Sequence, residues 1–203
     1  MWDLRTQAYV STFKVHDGGI ANARFASDGR LFLSSWDTFA SMVTIDSQYR
    51  VIASVKFAGH NACVSDILPL NSDVCVTCSL DTTIRFWNCL TGACIKTLPE
   101  FSSSTIPTRV LGPTGREFAC ATLDKAVIIW SSETFEILRR IEFPGSVKSL
   151  VADSDTLYVG VRRHGIMLCN ILTGEVGSIV FHCKYTIRSR LVRCVCELVY
   201  CTL

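Results

Sequence analysis

The chain has 203 residues, 49% of them apolar and 19% charged, which is the balance of a folded protein with a substantial core rather than of a disordered segment. Its net charge of +2 comes from 20 basic and 18 acidic residues that are interleaved, so it lacks the basic face that follows a phosphate backbone. Nucleic acid is therefore not an expected direct partner. The opening residues Met1 to Arg5 hold no apolar signal core and no run reaches the ~18 apolar residues of a bilayer span; the expectation is an intracellular protein, cytoplasmic or nuclear, with no membrane span.

Self-similarity organises the rest. Residues 2–13 open on Trp2-Asp3 and read as the last two strands of a repeat unit. Residues 16–57 hold His16 and Ser35-Trp36-Asp37; Ile45, 42 residues before Trp87, is assigned the tryptophan position, with two extra residues ahead of it. Residues 60–98 are the clearest unit, with Gly59-His60, a strand ending Thr77-Cys78-Ser79, a turn at Asp81, and a third strand through Trp87. In residues 101–142, Asp124 and Trp130 each follow Asp81 and Trp87 by 43 positions, with Ser103 in the histidine slot. Residues 145–181 repeat Leu90-Thr91-Gly92 as Leu172-Thr173-Gly174, but Arg163 falls where the aspartate belongs. Residues 182–203 leave the pattern and gather Cys183, Cys194, Cys196 and Cys201 with Lys184, Arg188, Arg190 and Arg193. This Cys/Arg-rich stretch reads as a divergent end completing a strand, with a basic, acylatable tether as the alternative.

A period near 42 residues with four short strands per unit is the spacing of a propeller blade, because each small sheet buries its faces only against its neighbours. The Gly59-His60 pair, the Ser79 and Asp81 turn and the Trp87 strand resemble the WD-repeat family, and the likeness runs from residue 2 to about 181. The resemblance implies an all-β fold of four-stranded antiparallel blades, four of them plus a half blade at the N-terminus. Family members more often have about seven. The expectation is thus either an incomplete array or a subunit completed by blades of another chain.

The resemblance also assigns roles. His60, Ser79, Asp81 and Trp87 are expected to form a structural hydrogen-bond series, since a buried polar group left unpaired costs roughly 1 to 3 kcal/mol. Protein or peptide partners are expected on the propeller's top face, at Trp36, Leu80, Ile106, Leu123, Lys148 and Arg162. Trp36 has two open placements, in a surface arc or packed between sheets. The implied function is a scaffold or adaptor within a larger complex, without catalysis. A subunit of an RNA-processing assembly and a hydrolase using His60, Ser79 and Asp81 are the alternatives.

Other chemistry lacks its residues. Cys75-Val76-Thr77-Cys78 has CxxC spacing, but on a strand residues three apart face opposite sides and no second pair follows. The eleven cysteines form no disulfide framework and read as small buried hydrophobes. No glycine-rich nucleotide loop, HExxH or GxSxG is present, so neither a metal nor a cofactor is expected.

Overall fold

The computed structural model describes residues 2–3, 5–98, 105–110, 117–122, 125–153 and 155–181. They form strands and turns. A two-stranded pair, β1 (Trp2–Asp3) and β2 (Ala8–Tyr9), precedes four antiparallel sheets of four strands, each laid out in chain order. The first blade comprises β3 (Ile20–Phe25), β4 (Leu31–Ser35), β5 (Ala40–Ile45) and β6 (Val51–Phe57). The second holds β7 (Val64–Pro69), β8 (Val74–Ser79), β9 (Ile84–Asn88) and β10 (Cys94–Leu98). The third holds β11 (Thr105–Val110), β12 (Glu117–Thr122), β13 (Ala126–Ser131) and β14 (Ile137–Glu142). The fourth holds β15 (Val147–Asp153), β16 (Thr156–Val161), β17 (Gly165–Asn170) and β18 (Val176–Phe181).

Burial explains the composition of the strands. The second strands β4, β8 and β12 are buried nearly end to end, and their sequences are correspondingly apolar or small on both faces. The outer strands β6, β10 and β14 are mostly exposed, which is why Lys56, Lys96, Arg139 and Arg140 are tolerated there. In three blades the first strand carries a bulge near its start, at Ala21, Ser65 and Lys148; β11 pairs with β12 without one.

The chain forms two compact units, residues 1–100 and 101–203. In the first, β7 packs on β3 and β4, and the core joins Phe32, Phe57, Val64, Ile67, Cys75 and Trp87. Polar ties cross the same seam. Asp66, buried, accepts from Asn22 Nδ2 at 2.6 Å and pairs with Arg24 Nη2 at 2.9 Å, while Arg30 Nη2 donates to the Ser72 carbonyl at 2.7 Å. Burial pushes the Asp66 carboxyl up, against the pull of Arg24. In the second unit, β15 packs on β11 and β12 over a core that includes Val127, Ile129, Ile141, Phe143, Leu157 and Val159. Here Arg139 of the outer strand β14 donates to the carbonyls of Ile171 and Leu172 in the next blade's turn.

Candidate functional site

In the second blade the loop before β7 is fastened by a relay. Trp87 Nε1–H donates to Thr77 Oγ1 at 2.7 Å, the Thr77 hydroxyl donates to His60 Nε2 at 2.7 Å, and His60 Nδ1–H donates to Asp81 Oδ2 at 2.8 Å. Asp81 also accepts from the N–H of Asn61 and from the N–H and hydroxyl of Thr83. Burial raises the Asp81 carboxyl, but these donors outweigh it and hold its pKa at about 2. His60 is lowered from 6.5 by burial, against the pull of Asp81, so the neutral imidazole is favoured. That tautomer satisfies every donor and acceptor in the series.

The hydroxyl between His60 and Trp87 is Thr77, and Ser79 stands off the relay. Ser79 Oγ donates to the carbonyls of Ala62 and Cys63 and accepts from the Asp81 N–H, tying the turn rather than the tryptophan. The reason is distance along the strand. Trp87 lies opposite Cys75, four residues from Ser79, roughly 13 Å at 3.3 Å per residue, whereas Thr77 is half as far.

The other blades solve the same problem differently. In the first, His16 Nδ1 meets Asp37 Oδ2 at 3.0 Å and His16 Nε2 meets Ser41 Oγ at 2.7 Å. Leu33 pairs with Ser41 as Thr77 pairs with Arg85, so the hydroxyl has crossed from the second strand to the third. Register also corrects the tryptophan position: Val43 faces Leu31 as Trp87 faces Cys75, so the slot is Val43 rather than Ile45 and no residues are inserted. Val43 is fully buried and Val15 packs against its cluster. In the second blade the corresponding residue is Gly59, where a Cβ would stand 3.1 Å from the Trp87 ring.

The third blade keeps Trp130, stacked on Phe118, with Cys120 in the Thr77 position; Ser103 and Asp124 lie outside the described residues. The fourth dispenses with polarity. Val159 and Cys169 occupy the Thr77 and Trp87 positions, the loop reads Phe143-Pro144-Gly145, and Phe143, Val159, Val161 and Cys169 join one buried apolar cluster.

Three turns between second and third strands share one geometry. Trp36 N–H donates to the Gly19 carbonyl at 2.9 Å, Leu80 N–H to Cys63 at 3.0 Å, and Arg162 N–H to Ser146 at 2.9 Å. Trp36 is 66% exposed and Leu80 53%, and Arg162 is exposed as well. Trp36 therefore lies at the surface, its ring over Gly19, instead of folding between sheets. Cys63 Sγ–H reaches the Trp36 carbonyl at 3.4 Å, so the Trp36 and Leu80 turns are neighbours in the first unit. Lys148 is half-buried at the fourth blade's bulge.

Ile106 differs. Because β11 has no bulge, Ile106 pairs with Ala121, the register of Asn22 with Ser34 and of Asp66 with Cys78; the position of Gly19 and Cys63 falls earlier in the chain. Leu123 lies outside the described residues, as does the stretch 182–203. Among the described residues, no group of three or more His, Cys, Asp or Glu side chains could hold a metal ion, and no helix is long and apolar enough to cross a membrane.

A family model described as WD domain, G-beta repeat matches residues 52–88, from β6 through β9. The crystal structure of the computationally designed Ika8 protein superposes with a TM-score of 0.76 at 16% identity, covering 93% of this chain and 57% of that chain. At that identity the likeness concerns the fold. The chain spans rather more than half the length of the designed protein. The WD repeat matched over residues 52–88 and the four blades of one strand order together support a WD-repeat propeller. Propellers of this family are in general protein-interaction scaffolds and are typically not enzymes.

Proposed function

We propose that this chain is a scaffold that holds a protein or peptide partner on the turns bearing Trp36 and Leu80. The observation that carries the reading is that an indole and an isobutyl group stand exposed at adjacent, identically bonded turns. Burying such a pair is favourable at roughly 25 cal/mol per Å² of apolar surface, and tryptophan is enriched among residues that dominate binding energy.

Phe25 provides an internal control, being 64% exposed at the opposite end of β3 from Gly19 and Trp36. With a partner captured by the full chain, Trp36→Ala is expected to weaken binding by at least 2 kcal/mol, about 30-fold. Phe25→Ala should leave affinity within about twofold. Equal affinity of the Trp36→Ala and unsubstituted chains, with loss on Phe25→Ala, would place the partner at the other end and refute the proposal.

A further inference from the structure

The turns of the second unit are basic where those of the first are neutral or acidic. Lys125 follows the second strand of the third blade with φ +75°, the place of Thr38 (φ +73°) and Thr82 (φ +67°) in the first two blades. In the fourth blade Arg162 stands where Trp36 and Leu80 stand, by the N–H that each donates to the loop before its first strand. Arg163 comes next, at the place of Asp37 and Asp81, and Lys148 occupies the bulge that holds Ala21 and Ser65 in the first unit. Relative to the second blade, an aspartate has given way to an arginine and three neutral side chains to cations.

The loop Phe143-Pro144-Gly145-Ser146 holds these turns together. At one end the Phe143 N–H donates to the Lys125 carbonyl at 2.7 Å, and at the other the Arg162 N–H donates to the Ser146 carbonyl at 2.9 Å. Gly145 lets the arginine turn close on the loop, since a Cβ there would stand 2.7 Å from the Arg162 carbonyl and 3.0 Å from His164 Nδ1. His164 Nδ1–H donates to that same carbonyl at 3.0 Å, so the turn is pinned from two sides. The steps from Phe143 to Ser146 span at most roughly 11 Å. Lys125, Arg162 and Arg163 are exposed and Lys148 is half-buried, and none of these four side chains makes an ion pair among the described residues. Glu142, opposite Ala126 on β14, pairs with Arg140 at 3.6 Å. Cations held this close on pinned backbone repel one another and are relieved together by an anion.

We propose that this basic end of the second unit is a binding surface for an acidic, extended segment of a protein partner. In an extended chain the side chains of one face recur at every second residue, about 6.6 Å apart, so two or three carboxylates match the span of the loop. Nucleic acid fits less well. The surface is shorter than the roughly 6 to 10 phosphate contacts of a strong nucleic-acid binder, and Phe143, the aromatic side chain of the loop, is buried instead of offering its face to a base. The surface draws on no residue of the first unit, so it stands apart from the reading built on Trp36 and Leu80.

The test is fluorescence anisotropy of a labelled peptide of alternating glutamate and serine, titrated with the full folded chain. Saturable binding is expected, weakened at least about tenfold by Arg162→Glu with Arg163→Glu. The charge-matched pair Arg50→Glu with Lys96→Glu, both in the first unit, should stay within about twofold of the unsubstituted chain. Where the double reversal fails to fold, Arg162→Gln with Arg163→Asn removes both charges while asparagine tolerates the positive φ of position 163, and a loss of about fivefold is expected. Trp36→Ala should leave peptide affinity unchanged, so failure here and failure of the Trp36 reading are told apart. Absence of saturable binding overturns the proposal, as does an equal loss in the charge-matched pair. Tighter binding of an oligothymidylate of the same charge would assign the surface to nucleic acid and overturn it too.

Discussion

Thr77 is a small side chain with two obligations, because Trp87 gives it a hydrogen and His60 takes one from it. Thr77→Val keeps the shape and leaves an indole N–H and an imidazole nitrogen buried without partners, each costing roughly 1 to 3 kcal/mol. The expected loss is about 3 kcal/mol in urea unfolding of the first unit, against about 1 kcal/mol for Ser79→Ala. A larger loss at Ser79 would contradict the relay as drawn. The same residues set a pH dependence. His60 has its folded pKa lowered from 6.5, so its contribution is present above pH 6.5 and is lost as pH falls below it. Asp81, held at about 2 against 3.8, adds a contribution present above pH 3.8 and lost on the way down to 2. Unfolding midpoints should therefore fall between pH 7 and 5, and the slope over that window should flatten in His60→Gln.

At the scale of the element, the turn between third and fourth strands shows how one blade grips another. Leu90-Thr91-Gly92 turns with φ +74° at Gly92, and a Cβ there would stand 2.6 Å from the Lys56 carbonyl of the first blade. Gly29, at φ +84°, faces open space. Gly29→Ala is expected to cost about 1 kcal/mol from the left-handed backbone, and Gly92→Ala about 3 kcal/mol because backbone must also move. Equal thermal shifts for the two would show that the contact with Lys56 carries no weight. Turns of this kind were legible in the sequence, because glycine and the Leu-Thr-Gly repeat mark them and the strands between them are apolar. What stayed hidden depends on pairing. Ser41 replaces Thr77 across a strand pair, a relation that linear spacing does not encode. Counting back 42 residues from Trp87 puts the tryptophan slot at Ile45, whereas cross-strand register puts it at Val43. The missing bulge in β11 displaced Ile106 from the position that its offset from Leu123 suggested. Exposure of Trp36 was one of two open readings, since a tryptophan beside a vacant tryptophan slot could have filled it.

For the whole molecule, each unit carries its own core, Phe32 to Trp87 in one and Val127 to Cys169 in the other. Substitutions in one core should leave the other unit's transition in place. With Trp87 or Trp130 retained as the sole tryptophan, Thr77→Val is expected to lower the urea midpoint reported by Trp87 and not that reported by Trp130. A common shift would mean that the units unfold as one. The fourth blade gives this division a chemical direction. Phe143, Val159 and Cys169 pack together in the fourth blade where the second has the relay built on His60 and Asp81, and a loop fastened by packing alone takes up no proton. Acid should accordingly loosen the second blade, which presents Leu80, while the apolar-fastened fourth blade holds. A partner seated on the Leu80 turn would be released on acidification by loss of its platform, with no titration at the contact itself.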